Sequence, residues 1–401
     1  MKPYEDQMKS PRERAAALLA ELSLDEKMAQ LSCVFPFGEK AQDFEWIAAQ
    51  VPQGVGQVST LEMRRIRTLE DCAAWQRQVQ EIFYRSFVSG LMQTLELPED
   101  CRDELLVNSN LVMQMLDEKG LSPYKTFESI SRFAELLSAC RDGAFSPRIT
   151  QHRITDNTQI TLIEPPCGSN TAILQSGREV LFIDCGYAMY RREMEKIFRQ
   201  LLPGWDSMRK RILITHADVD HCGLLPLFDE VLASEKSREC LALEYAGKPG
   251  FREQNPMHRP YISICKTLTR YVPPEPEKVH GLWSTSDGQE APLAQMGFFR
   301  FGDLCFEVYQ GAGGHLKGET VLIDFTHHIA FTGDIYVNIH GMTREQAAYN
   351  QYAPVLMTSV DTDPKLCAEE RRAVMQRLGV GQWQIFGAHG MKKDYGVMGE
   401  K

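Results

Sequence analysis

The sequence has no apolar run long enough to cross a bilayer, no Cys-x-x-Cys pair and no excess of basic residues. A membrane-spanning helix needs about 20 apolar residues in succession, so we expect no membrane partner. The amino-terminal stretch is polar and carries no signal-peptide pattern. Eleven cysteines are scattered along the chain, which is typical of reduced thiols and argues against a disulfide framework. These absences predict a cytoplasmic protein.

The charge balance bears on the class of partner. Lys and Arg total 44 against 54 Asp and Glu, which gives a formal net charge of -10. Because proteins that bind duplex nucleic acid usually carry a basic surface, we expect no nucleic-acid partner. The composition, 43% hydrophobic and 24% charged, is that of a globular chain, and 401 residues suffice for two domains. The expected partner is a small-molecule substrate, with a homodimer as a further alternative.

The hydrophobic pattern changes near residue 150. Before it the pattern is mainly helical, whereas residues 151–401 alternate short apolar runs, rich in β-branched residues, with helical stretches. Such alternation predicts an α/β fold. Residues 245–295 form a Pro-rich insertion of poor periodicity, which we interpret as either a lid or a surface excursion. The predicted organisation is a helical region, 1–150, followed by a catalytic α/β domain, 151–401.

Four side chains that can bind a metal lie within six residues, directly after an apolar run (212–214) that is predicted to be a strand. They are His216, Asp218, Asp220 and His221. A tight loop at the end of a strand can direct several side chains to one point, and imidazole with carboxylate suits Zn²⁺ or another first-row divalent ion. The pattern also fits an Asp that caps a helix beside solvent-exposed histidines. From these four residues alone both interpretations stay open.

Further ligand-type side chains stand next to glycines near predicted strands: His315, Asp334 and His389, with Asp184 at the end of an earlier apolar run. Taken in order, from about residue 150 to 390, these elements resemble the metallo-β-lactamase superfamily. The resemblance implies an αββα sandwich with a dinuclear metal site at the edges of its sheets. It also implies a metal-dependent hydrolase.

The resemblance further implies which residues bind each ion. It places His216 and His315 on one ion, Asp220, His221 and His389 on the other, Asp334 between them, and Asp184 behind the ligand loop. The usual motif of the superfamily is His-x-His-x-Asp-His, and Asp218 replaces its second histidine. A neutral centre of two divalent ions, three carboxylates and one hydroxide is a weaker Lewis acid than the usual one. Zn²⁺ is the expected ion, with Mn²⁺ or Fe as alternatives; in a rival interpretation Asp218 does not bind and the first ion is weak or absent.

The implied reaction is hydrolysis by a hydroxide that bridges the two ions, with Asp218 and Asp220 as the candidate catalytic residues. Esters, thioesters, lactones and phosphodiesters all remain open as substrates. No Gly-x-Ser-x-Gly motif indicates a serine nucleophile. Substrate contacts are predicted for Tyr336, Asn338, His258 and Trp283. A redox or non-catalytic binding protein is another alternative, although the chain has no glycine-rich flavin or nucleotide fingerprint.

Residues 12–85 resemble a different family. A capped helical run (18–31), a Gly-flanked run (54–58) and a helix with Trp75 are similar to the start of glycoside hydrolase family 3 proteins. A (β/α)₈ barrel takes about 250 residues, so the resemblance implies only a truncated barrel start without its nucleophile. It supports an alternative function, a metal-dependent glycoside hydrolase acting on small β-glycosides. Otherwise the segment is expected to serve as a helical cap or a dimerisation surface, or to have no role in activity or assembly.

Overall fold

The computed structural model describes residues 69–119, 121, 123–283, 292–352 and 360–397, together with two short strands nearer the amino terminus. The chain divides into two compact units, Met1–Ser89 and Gly90–Lys401. In the first unit, β1 (Cys33–Val34) pairs in parallel with β2 (Gln57–Val58). Helix α1 (Leu69–Leu95) begins in the first unit and ends in the second. Most of the predicted glycosidase-like segment lies outside the described residues, and the division predicted at residue 150 stays a prediction.

The second unit continues with two helices and a seven-stranded sheet. The helices are α2 (Arg102–Glu118) and α3 (Pro123–Ala139). The strands lie in the sheet in chain order: β3 (Arg148–Arg153), β4 (Thr158–Glu164), β5 (Thr171–Ser176), β6 (Glu179–Ile183), β7 (Arg211–Leu213), β8 (Glu230–Ser234) and β9 (Val279–Trp283). Strands β3 to β6 are antiparallel, and β6 to β9 are parallel. Parallel neighbours need crossover connections, which contain α4 (Arg191–Leu201), α5 (Val219–Cys222), α6 (Glu235–Tyr245) and α7 (Arg259–Leu268).

A six-stranded sheet follows, again in chain order. Its strands are β10 (Leu293–Phe301), β11 (Leu304–Gly311), β12 (Thr320–Asp324), β13 (Ile329–Phe331), β14 (Gly381–Phe386) and β15 (Lys393–Val397). Neighbouring strands are antiparallel, except that β13 and β14 are parallel. The connection between those two contains α8 (Arg344–Tyr352) and α9 (Pro364–Leu378). Because β13 and β14 run in the same direction, the loops after them leave the sheet at the same edge.

The two sheets pack face to face around one apolar core. Leu174 and Leu181 of the first sheet lie in the same buried cluster as Phe306, Leu322 and Phe331 of the second. Alternation along each strand directs these side chains inward and their neighbours to the opposite face. Burial of such side chains contributes roughly 25 cal/mol for each Å² of apolar surface removed from water. This interlayer core holds the strand ends, and so the loops that follow them, in fixed register.

Helices cover the outer faces of both sheets. On the second sheet, Val374 and Leu378 of α9 pack with Trp383 of β14. On the first sheet, Phe198 of α4 packs against Phe182 of β6 with ring centres 5.1 Å apart. The predicted αββα sandwich is therefore confirmed. Among the described helices, none combines the length and apolar character that crossing a membrane requires.

Residues 245–295 are more regular than their Pro-rich composition predicts. The described part includes α7, ten residues long with Pro260 in its first turn, and β9, which joins the first sheet in parallel with β8. Trp283, at the end of β9, is 8% exposed and belongs to the interlayer core. The aromatic side chain predicted to face substrate is therefore a core residue. The sequence pattern did not indicate α7, because a ten-residue helix flanked by prolines shows little periodicity.

Candidate metal centre

The ligand loop follows β7 directly and passes into the single turn of α5. Asp218 caps this turn, its Oδ1 accepting a hydrogen bond from the next backbone N–H at 2.9 Å. The turn then presents Asp220 and His221, which are both buried. Gly223 ends the turn, and a Cβ there would stand 2.2 Å from the backbone nitrogen of Ala188, so a side chain would force the backbone apart. Asp218 thus does cap a helix, but the histidines beside it are buried rather than solvent-exposed.

Four loops bring the predicted ligands together at one edge of the sandwich. The ring centres of His216 and His221 lie 4.0 Å apart, and those of His216 and His315 lie 5.0 Å apart. Asp334 stands at the centre. Its Oδ2 is 3.4 Å from His315 Nε2 and 3.6 Å from His221 Nε2, and its Oδ1 is 3.4 Å from His389 Nε2. A carboxylate in this position can offer an oxygen to each side of the cluster.

Within the described residues, ligand atoms that all lie within 4.8 Å of one another form three groups. We name the His221 group after Asp220, His221 and His389, and the His315 group after His216, Asp218 and His315. In the third group Asp334 joins His216 and His221. The structure therefore brings together all seven predicted metal ligands, while their binding of an ion stays a prediction.

Three atoms at the middle of the cluster have no hydrogen-bond partner in the part of the chain that the structure describes. They are His216 Nε2, His221 Nε2 and Asp334 Oδ1, and all three are buried. A buried polar atom left unpaired costs about 1–3 kcal/mol, and native proteins contain few of them. Imidazole nitrogens and carboxylate oxygens are the donor set that Zn²⁺ and other first-row divalent ions prefer. The residues present therefore fit a divalent cation.

Asp184 holds the ligand loop from behind. Its Oδ1 accepts a hydrogen bond from the Thr215 backbone N–H at 2.8 Å, and its Oδ2 accepts one from the Thr215 hydroxyl at 2.8 Å. The same Oδ2 lies 3.0 Å from His221 Nδ1. A hydrogen bond at Nδ1 leaves Nε2 of the ring facing the cluster, as a ligand requires. Burial lowers the pKa of His221, but Asp220, Asp184 and Asp334 outweigh it and hold that pKa well above its ordinary value, so a cation competes with a proton here.

Two further carboxylates at the cluster carry no recognisable sequence motif. Asp361 Oδ1 lies 2.9 Å from His315 Nδ1, the counterpart of the contact between Asp184 and His221. Glu319, just before β12, accepts hydrogen bonds from the backbone N–H of Asp334 at 2.6 Å and of the following residue at 3.1 Å. Burial raises the pKa of Glu319 to about 8. Only its place beside a glycine at a strand start could have signalled Glu319.

Arg252 reaches into the His315 group. Its Nε forms an ion pair with Asp218 Oδ2, and its Nη2 lies 3.0 Å from His315 Nε2. The side chain is 9% exposed, and its Nη1 donates to the Val360 carbonyl at 2.7 Å. This contact bears on the rival interpretation of Asp218, since that carboxylate already has a cationic partner. Sequence reasoning missed Arg252 because no motif or periodic pattern surrounds it.

A cavity of about 420 Å³ opens onto the cluster. Its polar wall includes Asp220, Arg252 and Asp334. Its aromatic wall is formed by Phe133, Tyr187, Tyr261 and Tyr349. The Tyr349 hydroxyl donates a hydrogen bond to Asp220 Oδ2 at 3.2 Å. A concave cavity that combines an aromatic wall with converging polar groups is a usual form of a small-molecule site.

The four residues predicted to contact substrate are not among those that line this cavity: Tyr336, Asn338, His258 and Trp283. Tyr336 packs against the apolar cluster on the outer face of the second sheet, while its neighbour Val337 lines the cavity. The Asn338 amide donates to the Met391 carbonyl at 3.0 Å. His258 immediately precedes α7. Adjacent residues of an extended loop point to opposite sides, so proximity to Asp334 in sequence did not decide which side chains face the cavity.

A two-sheet α/β sandwich with a cluster of His and Asp at the sheet edge defines a class of metal-binding domain. Residues 165–293 match the family model of the metallo-beta-lactamase superfamily. The match covers Asp184 and the ligand loop, whereas His315, Asp334 and His389 lie beyond it. The predicted resemblance of residues 12–85 to glycoside hydrolase family 3 is not supported, since the matched family covers none of them. No curated protein matches the chain in sequence.

Several solved structures are similar to the chain at low sequence identity and low TM-score. A metallo-beta-lactamase from Pontibacter korlensis is 16% identical, with 62% of this chain and 94% of that one covered and a TM-score of 0.38. A beta-lactamase domain protein from Burkholderia ambifaria is 17% identical, covers 61% of this chain and 72% of its own, and has a TM-score of 0.40. A flavo di-iron protein from Thermotoga maritima is 16% identical, with 62% of this chain and 58% of that one covered and a TM-score of 0.39. Similarities this low carry no argument about activity.

Proposed function

We propose that the chain is a metal-dependent hydrolase. The observation that carries the proposal is the set of three buried ligand atoms without hydrogen-bond partners, on His216, His221 and Asp334, at the meeting point of four loops. The family match of residues 165–293 supports it, because the superfamily consists mostly of metal-dependent hydrolases. A redox function has no comparable support among the described residues.

Two divalent ions, with Zn²⁺ as the expected metal, would be held by the His221 group and the His315 group, and Asp334 would stand between them. Members of the superfamily bind one or two such ions. A divalent ion bound here would supply Lewis acidity toward a substrate oxygen and would acidify a water molecule. Everything else in the proposed reaction is performed by the chain's own side chains.

Those side chains act by orientation. Asp184 and Asp361 each hold one imidazole through its Nδ1, at 3.0 and 2.9 Å, so that both Nε2 atoms face the cluster. Tyr349 donates to Asp220 and thereby restricts that carboxylate. Such supporting contacts typically change metal affinity or activity 10- to 100-fold when removed.

The cavity points to a small-molecule substrate. A volume of about 420 Å³ lies within the usual range for small-molecule sites. Its aromatic wall suits an apolar or aromatic group next to the scissile bond. We therefore propose an ester, lactone, thioester or phosphodiester of small size as the substrate. The cytoplasmic location and the homodimer stay predictions.

The test is a panel of chromogenic substrates of these four classes, assayed on the full chain loaded with Zn²⁺ and again after chelation. We expect chelator-sensitive hydrolysis of at least one class. Asp220→Ala and His221→Ala should lose that activity, because each removes a ligand from the His221 group. His280→Ala is the matched control, since His280 is an exposed histidine on β9, outside the cluster.

Hydrolysis that persists at full rate without metal would contradict the proposal. So would an active His221→Ala variant of unchanged metal content. A chromogenic β-glycoside belongs in the panel as well, because chelator-sensitive release of sugar would favour the alternative glycoside hydrolase. We expect no such release, since nothing in the cavity or the family match supports that alternative.

A further inference from the structure

The two metal groups differ in what already binds their ligand atoms. In the His221 group, the Nε2 of His221 has no hydrogen-bond partner. In the His315 group, Asp218 Oδ2 and His315 Nε2 both contact the guanidinium of Arg252. These are the atoms through which the two residues would bind an ion. Each group therefore has one unpaired ring nitrogen, on His221 and on His216, and Asp220 accepts a hydrogen bond from Tyr349. Among the described residues, a guanidinium contacts ligand atoms of the His315 group and none of the His221 group.

Arg252 is fixed in this position by the segment that carries it. The neighbouring Glu253 accepts a hydrogen bond from the Gly250 backbone N–H at 2.9 Å and forms an ion pair with Lys266 at 2.6 Å. Lys266 also pairs with Glu244 at 2.8 Å. These groups are largely buried and tie the segment to both α6 and α7. The guanidinium is thus placed by its surroundings and is not a surface side chain that happens to fold inward.

A guanidinium and a divalent ion cannot share the position between Asp218 and His315. Both would need the same two ligand atoms, and their like charges repel strongly at such distances. With Arg252 in place, Asp218 is already neutralised. An ion that enters the His315 group must therefore displace the arginine, whereas an ion that enters the His221 group meets no guanidinium among the described residues.

We propose that the guanidinium of Arg252 acts as a resident competitor for the His315 group, so that the two ions bind in order, first in the His221 group and then in the His315 group with displacement of Arg252. This inference rests on the proposed function, since it concerns the same centre. It explains why Asp218 stands where the superfamily motif has histidine: a carboxylate can pair with an arginine, whereas an imidazole of ordinary pKa offers no charge to bind it.

The test is a calorimetric titration of the metal-free full chain with Zn²⁺. We expect one tight equivalent and a second that binds at least tenfold more weakly. In Arg252→Met, which keeps an unbranched, flexible side chain but removes its charge, the second equivalent should tighten at least tenfold and the first should change little. Arg238→Met is the matched control: Arg238 is an exposed arginine of α6 that pairs with Glu235 and does not line the cavity, so both equivalents should keep their wild-type affinities.

Arg252→Lys keeps a cation but cannot contact Asp218 and His315 through one planar group. Its second equivalent should bind with an affinity between those of the wild type and Arg252→Met. This variant keeps the test decisive if the apolar substitution prevents folding, which circular dichroism would reveal.

Two tight equivalents in the wild type, or a second equivalent that neither variant tightens, would overturn the proposal. In either case chelator-sensitive hydrolysis would leave the proposed function standing. The absence of any Zn²⁺ binding in the wild type would instead overturn both.

Discussion

The His221 group and the His315 group are oriented in the same way but occupied differently. Each has an imidazole whose Nδ1 faces a buried or half-buried carboxylate, Asp184 in one case and Asp361 in the other. Yet, among the described residues, a guanidinium contacts the His315 group and none contacts the His221 group. The difference shows that orientation and availability of a ligand are separate properties, set by different side chains. Substitutions that act on one without the other can therefore tell the two groups apart.

The largest effect is expected from Asp184→Ala. Asp184 is buried and accepts hydrogen bonds from the Thr215 N–H and hydroxyl, besides its contact with His221. Its removal leaves these donors without an acceptor, and breaking a buried charged contact in this way costs about 3–5 kcal/mol. Urea unfolding of the metal-free protein should show this loss, with Asp206→Ala, at an exposed ion pair, changing stability by less than about 1 kcal/mol. Equal losses in the two variants would contradict the role given to Asp184.

Asp361→Ala should separate the two groups. It removes the partner of His315 Nδ1 but touches neither His221 nor Asp184, so the second Zn²⁺ equivalent should weaken about 10- to 100-fold while the first stays near its wild-type affinity. Calorimetric titration measures both. A loss confined to the first equivalent would reverse the assignment of the groups.

Glu319→Gln should change how stability depends on pH. Burial raises the pKa of Glu319 from its ordinary 4.5 to about 8, so between these values the folded protein binds more protons than the unfolded chain. Its stability therefore falls as pH rises through this range, by at most about 1.4 kcal/mol per unit from this group. Gln keeps the acceptor for the two backbone N–H groups but cannot titrate.

Urea unfolding of the metal-free proteins between pH 5 and about pH 6.5 checks this expectation. The variant should lose about 1–2 kcal/mol less than the wild type over that interval. Parallel pH profiles for the two proteins would show that Glu319 does not titrate there.

The smallest effect is expected from Tyr349→Phe. It removes one hydrogen bond to Asp220 and one to the Tyr187 hydroxyl, at 3.2 and 2.8 Å, while the ring keeps its place in the cavity wall. A loss of about 1 kcal/mol of stability and a few-fold weaker first Zn²⁺ equivalent should follow. Weaker binding of the second equivalent alone would contradict the assignment of Tyr349 to the His221 group.

The residues of the centre that could be predicted from the sequence are those marked by a short local pattern. The ligand loop is contiguous, and His315, Asp334 and His389 each stand beside a glycine at a strand end, so their convergence follows from the sandwich itself. Arg252 and Asp361 come from segments without periodicity, and their placement depends on packing between distant elements. No local pattern carries that information.

The same limit explains the substrate candidates. Sequence distance from Asp334 suggested Tyr336, yet its side chain packs on the outer face of the second sheet while Val337 lines the cavity. The facing of a loop residue depends on backbone dihedrals that neither composition nor spacing specifies. Trp283 ends the edge strand β9 and packs in the interlayer core, and the sequence pattern did not distinguish this strand from an irregular lid.

The parallel pairing of β13 and β14 has a consequence for any attempt to rebuild this protein. Strand β14 has six residues and so spans about 20 Å. Were it to enter the sheet from the opposite end, as a short hairpin would require, His389 would emerge on the far rim, out of reach of Asp334. The long crossover that contains α8 and α9 is therefore required for the position of His389. It also carries Asp361. Shortening it to make a smaller protein would separate the residues of the cluster without changing any one of them.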